Sequence, residues 1–201
     1  MKQKIFKAMI VASVGLTLSL PVAGQKGEYA RLKTGDTIPS YTFNFIRHFE
    51  RSKMSTNEFR DKWLVLAFWN SHCSVCLKKM PQEDSLQKEF ASRVQVLLVG
   101  YTGSQYSQRK GPDQDRIQKL YEQVKKRLNV SLPIAYDSTL FHKMDITACP
   151  YLVVINPAGV IQGITTSLSA KELRALMNNE KVVLGRAYRQ WELQEEKATV
   201  L

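Results

Sequence analysis

Residues 64–69, LVLAFW, and 94–100, VQVLLVG, are near-continuous apolar runs of strand length, the pattern of strands buried on both faces. Over residues 41–49, Tyr41, Phe43 and Phe45 recur at period two, which predicts a strand with one buried face. In MSTNEFRDKW, Ser55 or Thr56 is placed to cap a short helical turn. LKKMPQEDSLQKEFASR sets Met80, Leu86 and Phe90 on one helical face, and Pro81 is expected to kink that helix rather than end it. A polar loop begins at Tyr101. Helical spacing returns from about Asp113, with Ile117, Leu120, Val124 and Leu128 on one face. PIAYD predicts a short strand and STLFHKMDI a short helix. YLVVINPAGVIQGIT predicts a hairpin around Asn156-Pro157-Ala158-Gly159, and SAKELRALMNNE a closing amphipathic helix capped by Ser169. Strands alternating with helices and ending on a hairpin imply an α/β three-layer domain with a mixed sheet.

The first residues follow another pattern. A basic start, MKQKIFK, precedes the apolar run AMIVASVGLTLSL, and PVAGQKG then supplies small residues for cleavage after Ala23 or Gly24. The run has the length of a signal-peptide core and is short for a membrane span. The expected organisation is therefore a signal peptide over residues 1–24, one domain over 25–180 and a helical tail over 181–201. Export, to the periplasm, follows; an uncleaved leader would instead anchor the chain to the membrane. The processing region holds no cysteine, which argues against a lipid-anchored N-terminus.

A chain of 201 residues, 44% hydrophobic and 23% charged, fits one globular unit with extensions. The net charge of +11 is spread along the chain, and three of its lysines sit in the leader. No base-reading module accompanies that charge, so nucleic acid is not an expected partner.

Three cysteines, Cys73, Cys76 and Cys149, are too few and uneven for a disulfide scaffold, so their use is chemical rather than architectural. Cys73 and Cys76 form a C-x-x-C in AFWNSHCSVC. Such a pair can be half a zinc site, an inert staple or a redox dithiol. A structural zinc site needs a second ligand pair, and no second C-x-x-C or H-x-x-x-H is present, so no metal is expected. A staple closing so short a loop would stabilise little. Redox use fits better. Cys73 sits where a buried strand turns into a helix, and a helix N-terminus favours an anion. A thiolate so placed can have its pKa lowered from about 8.5 into roughly the 3.5–7.5 range. Cys73 is then the attacking sulfur, and Cys76, one turn on, resolves the mixed disulfide. No further cofactor is called for.

WLVLAFWNSHCSVCLKKMP resembles the active-site segment of thioredoxin-fold proteins, especially the exported TlpA/ResA-like thiol–disulfide oxidoreductases. The resemblance covers about residues 32–177. LKTGDTIPSYTF is similar to that family's opening G-D-x-x-P-x-F, Pro81 matches its kinked active-site helix, and ITACPYLVVINPAGVI resembles its cis-proline loop, strand and hairpin. It implies a thioredoxin-like αβα sandwich with a mixed central sheet and an N-terminal β extension. Cys73 is implied as nucleophile, Cys76 as resolving thiol, Pro150 as the cis-proline, and the backbone before Pro150 as a substrate contact. Cys149, which that position would turn toward the C-x-x-C, is a candidate third thiol, either core packing, a partner for Cys73 or a metal ligand. Trp69, at the end of the strand, is a candidate modulating residue, with core packing the plainer role for it and for Trp63.

Several positions depart from the family pattern. His72 stands where thioredoxins usually carry tryptophan. Histidine is the side chain that exchanges protons near neutrality, so it is a candidate aid to the Cys73 thiolate. Ala67 stands where cytosolic thioredoxins have a buried acid, and Lys79 where ResA-like proteins often have glutamate. Glu83, His72 or water would have to replace that acid. His48 and His142 read as ordinary histidines, and Lys78, Lys79 and Lys88 as a solvated face that leaves the rim basic.

The expected function is an exported oxidoreductase that reduces disulfides of other exported proteins, fed by a membrane thiol electron donor. A copper-binding metallochaperone on the same fold is the alternative, since soft thiolates with a histidine suit Cu(I), though His142 is only a loose match for the required later ligand. A thiol peroxidase would need P-x-x-x-[ST]-x-x-C, and Leu66 occupies the proline position. A degenerate, non-catalytic relative is the remaining reading, because the proton-transfer acid is missing.

Overall fold

The apolar run ahead of the cysteines forms the middle of a six-stranded sheet, and every one of its residues is buried. In a computed structural model the chain is described at Tyr29, residues 31–104 and 113–189, Glu192 and Ala198. The expected signal peptide lies outside the described residues. Among the described residues no helix is long and apolar enough to cross a membrane.

The elements run β1 (Thr42–Phe43), β2 (Ile46–Arg47), β3 (Met54–Ser55), a 3-10 turn (Thr56–Phe59), β4 (Trp63–Trp69) and α1 (Ser74–Glu89). They continue through β5 (Val94–Gly100), α2 (Gln114–Leu128), β6 (Ile134–Tyr136), α3 (Thr139–Lys143), β7 (Tyr151–Ile155), β8 (Ile161–Thr165) and α4 (Ala170–Met177). The sheet order is β2-β6-β5-β4-β7-β8. β4, β5 and β6 are parallel neighbours, whereas β2, β7 and β8 pair antiparallel. This is the mixed sheet between helical layers that the alternation of strands and helices implies.

Side chains alternate across the sheet with the two-residue period of a strand. Leu64, Leu66 and Phe68 of β4 join one core, with Leu140 and Phe141 of α3 and the N-terminal segment from Tyr29 to Phe59. Trp63, Val65, Ala67 and Trp69 join the other, with Cys76, Met80 and Leu86 of α1, Ile117, Tyr121 and Val124 of α2, and Leu173 of α4. Burying an aliphatic or aromatic side chain of this kind contributes about 2 kcal/mol. Because α1 lies on the second core, its N-terminus opens at the edge formed by the carboxyl end of β4.

Capping fixes several boundaries. Ser55 accepts from the Asn57 N–H while Glu58 reaches back to the Ser55 N–H, and Ser169 and Glu172 repeat the arrangement on α4. Each cap stabilises its turn by about 1 kcal/mol. α1 runs through Pro81, whose missing N–H leaves one carbonyl without its helical donor.

Three expectations change. The strand expected over residues 41–49 splits in two: β1 pairs with β3 in a separate ribbon, and β2 crosses to the edge of the main sheet beside β6. Phe45, between them, is exposed for that reason. On α2, Tyr121 rather than Leu120 is fully buried, its hydroxyl donating to the Leu132 carbonyl. Residues 181–189 are not helical: Arg186 bridges Thr165 of β8, extending the sheet edge.

Candidate functional site

β4 delivers the chain to the site and Asn70 turns it. The Asn70 side-chain oxygen accepts the His72 N–H at 2.9 Å and its carbonyl accepts the Cys73 N–H at 3.1 Å. Asparagine can satisfy its own backbone two residues on, which makes it a turn former. α1 then begins with Cys73 at the N-cap.

Cys73 and Cys76 are joined as a disulfide, their Cα atoms 5.3 Å apart. The Cys76 N–H donates to the Cys73 sulfur at 3.2 Å, so that sulfur occupies the place where a capping oxygen would usually sit. The two cysteines differ in access. Cys73 is half-buried, while Cys76 is 3% exposed and packed against the inner core. Cys73 is therefore the more accessible of the two, with a helix N–H donating to its sulfur, while Cys76 is enclosed.

The peptide between Cys149 and Pro150 is cis. Cys149 packs against both cores and its thiol is hydrogen-bonded to Asn70; burial nevertheless pushes its pKa up to about 12. A thiol so held stays neutral. Trp69 is buried against Tyr121 on the inner core, and its indole N–H has no partner among the described residues. Its place is in the core, not on the accessible rim. His72 is exposed, with Nδ1 3.2 Å from the Ser71 hydroxyl. His142, the loose copper candidate, is engaged with the Tyr101 hydroxyl at 3.1 Å. Among the described residues no group of three or more His, Cys, Asp or Glu side chains is arranged to hold a metal ion, so the copper reading gains no ligand set here.

Ala67 does lie beneath α1 in the inner core, where an acid is missing. Glu83 is buried on the face of α1 that carries Cys76 and Met80, two turns beyond Cys76. Desolvation pushes its pKa up to about 7, only partly opposed by the Lys79 charge. Lys79 itself donates to the Thr166 carbonyl at 3.1 Å. Alongside α1, Ser74, Leu77, Pro81 and Leu128 line an open groove of about 390 Å³, with Lys78 and Arg127 on its walls. Ser71 and Asp113 were not singled out in the sequence, yet both are buried next to the motif and hydrogen-bonded to each other. An aspartate at a helix start is so common a cap that nothing in the sequence separates this one from the rest.

The AhpC/TSA family model matches residues 34–164. The chain is 22% identical over 142 residues to the thioredoxin-like protein YneN of Bacillus subtilis, covering 70% of this chain and 76% of that protein. Among solved structures, the thioredoxin domain of a thiol-disulfide oxidoreductase from Bacteroides vulgatus superposes with a TM-score of 0.54 at 17% identity, over 74% of this chain and 97% of that one. StoA from Bacillus subtilis gives 0.51 at 20% identity, over 69% and 96%. Family model, fold and a C-x-x-C disulfide at the head of a helix agree on a thiol–disulfide redox centre carried by a thioredoxin-like domain.

Proposed function

The chain belongs to the AhpC/TSA family, and on that premise we propose that it is an exported oxidoreductase that reduces disulfides of other exported proteins through the Cys73–Cys76 dithiol. The observation that carries the reading is the asymmetry of the pair. The half-buried Cys73 sulfur accepts a helix N–H, and its partner is enclosed. Donors at that sulfur stabilise a thiolate, and a thiolate, not a thiol, attacks a disulfide.

Cys73 thiolate attacks one sulfur of the substrate disulfide; an S–S bond forms to Cys73, the substrate bond breaks, and the released thiolate takes up a proton. Cys76, losing its proton, attacks the Cys73 sulfur, regenerates the protein disulfide and frees the second substrate thiol. Two electrons and two protons pass to the substrate. The oxidised protein then needs a donor of the same kind, for which a membrane thiol protein is the expected partner. The apolar groove starting at Ser74 supports a polypeptide substrate, since a small disulfide would need no such surface. The leader-like residues 1–24 support export.

The test is to reduce the protein, alkylate it briefly at neutral pH and map the label. Cys73 is expected to react first, and dominant labelling of Cys76 would overturn the assignment. Reduced Cys76→Ser is expected to accumulate a mixed disulfide with a disulfide-bearing protein substrate, and Cys73→Ser to be inert. Direction is read from the reduction potential of the pair: a value near about −270 mV supports a reductase, and one near about −120 mV an oxidase.

A further inference from the structure

We infer that Asp113 and Ser71 are positioning residues that fix the imidazole of His72, next in sequence to Cys73, with its Nδ1 hydrogen-bonded inward and its Nε2 left as the proton-exchanging atom. The inference rests on the dithiol reading above, but its first test does not.

The geometry is a chain of three side chains. Ser71, 8% exposed, donates its hydroxyl to the Asp113 carboxylate, and the same Ser71 oxygen lies 3.2 Å from His72 Nδ1. A serine has one hydroxyl hydrogen, and an ionised carboxylate only accepts. That hydrogen is therefore spent on Asp113, the serine lone pairs face the ring, and Nδ1 must carry the hydrogen of the second bond. Nε2 has no hydrogen bond to any described residue, and the ring is exposed.

Asp113 is unusual for its place. It occupies the N-cap of α2, yet its side chain makes no capping hydrogen bond to that helix. Its backbone is anchored, the N–H donating to the Thr102 carbonyl at 3.0 Å. The carboxylate, 5% exposed, is instead directed across 42 residues of sequence to Ser71. An aspartate that gives up its own cap to bond a serine next to the motif points to a purpose outside its helix. The backbone at His72 is fixed as well: its N–H donates to the Asn70 side-chain oxygen at 2.9 Å.

Among the described residues, charged and titratable groups near the motif come from α1, the cis-proline loop and the start of α2. α1 contributes the two cysteines, with Lys79 turned to the Thr166 carbonyl and Lys78 to the groove wall. The cis-proline loop contributes Cys149, whose thiol stays neutral. The start of α2 contributes Asp113. In the reaction, Nε2 takes the proton of the reduced Cys73 thiol, giving thiolate and imidazolium. The positive charge is offset by the carboxylate through Ser71. When Cys73 attacks, the imidazolium returns that proton to the departing substrate thiolate, so the ring ends as it began.

Two measurements decide the matter. Long-range ¹⁵N–¹H correlation on the intact, oxidised chain, with His72→Gln to assign the signal, is expected to show the neutral ring protonated at Nδ1. A ring protonated at Nε2 overturns the inference whatever the enzyme does. In the reduced protein, Asp113→Asn and Ser71→Ala are each expected to slow Cys73 alkylation near pH 6 by about tenfold, the size of a one-unit move in the titration that governs it. Ser71→Thr, which keeps the hydroxyl, is expected to retain the wild-type pH profile. In a His72→Gln background both slowing effects are expected to vanish. If Asp113→Asn slows alkylation equally with and without His72, the carboxylate acts by supporting the fold and the inference fails. If wild type itself shows the slow, high-pH alkylation of an ordinary thiol, the dithiol reading fails while the tautomer result stands.

Discussion

Glu83 and Asp84 are adjacent acids on one helix, both nearly enclosed at 6% and 3% exposure, and their surroundings push them in opposite directions. Glu83 points to the inner core, where no described residue hydrogen-bonds it. Burial raises its pKa to about 7, and the charge of Lys79 offsets only part of that. Asp84 points sideways from α1 toward the segment before β6. Burial would raise it too, but the Lys88 ammonium, the Ser131 N–H at 2.7 Å and the Ser131 hydroxyl at 3.1 Å outweigh it and hold the carboxyl below its ordinary range. Partners, not depth, decide which acid is charged. One flank of the dithiol helix is thus an anchoring bond to the neighbouring loop, and the other is an acid near its titration point on the face that carries Cys76.

The contrast breaks most readily at Glu83. A carboxyl whose folded pKa is raised from 4.5 to about 7 makes no penalty below about pH 4.5, where both states are protonated. Between about pH 4.5 and 7 the unfolded chain ionises first and stability falls; above pH 7 the loss is complete. At ~1.4 kcal/mol per pH unit the ceiling is about 3 kcal/mol. Glu83→Gln is therefore expected to be more stable than wild type at pH 8 by roughly that amount, and equal to it near pH 4.5, in urea unfolding across the series. A constant difference at every pH would show that packing, not ionisation, separates the two. The same variant reports on Cys76: if the acid accepts its proton, resolution of a Cys73 mixed disulfide slows near neutrality, and an unchanged rate leaves the task to His72 or water.

Asp84 should respond with the opposite sign. Its lowered pKa contributes stability that is complete above the unfolded value near 4 and is lost as pH falls through the folded one. Asp84→Asn is expected to cost about 2 kcal/mol at pH 7, the scale of hydrogen bonds to a charged group. That cost should fade in acid. If it persists once the folded carboxyl is protonated, the Ser131 bonds survive protonation and the charge matters less than the geometry.

Most of the sheet and the four helices given above for the described residues are legible in the hydrophobic pattern, because that pattern is what burial selects. LVLAFW reads as a strand covered on both faces because its unbroken apolar run has strand length, and it lies inside the sheet between β5 and β7. The short edge elements escape it. Thr42–Phe43 and Ile46–Arg47 have two residues each, too few for a period to show, so one strand was expected where two lie in different sheets. The extended course of 181–189 depends on β8 offering an edge, which is a tertiary fact. At the site, the cysteines, the proline loop and Glu83 stand out by spacing or by resemblance. The Asp113–Ser71 bond does not: it joins residues 42 apart, each of a type common at turns and caps.

The smallest effect is expected at Lys79. Lys79 is half-buried and does two things, lowering the Glu83 pKa by its charge and donating to the Thr166 carbonyl. Lys79→Gln keeps a donor for Thr166 while removing the charge, so only the first role is lost. With the cation gone, Glu83 should titrate higher still, and its ionised form should cost more. The variant is then expected to be destabilised by less than about 1 kcal/mol at pH 8, as befits a partly solvated charge pair. It should match wild type near pH 4.5, where Glu83 is neutral in both. In a Glu83→Gln background the substitution has no carboxyl to act on and should be silent at every pH. A destabilisation that survives there would place the role of Lys79 in the Thr166 bond, and Glu83 would have to be held near neutrality by desolvation alone.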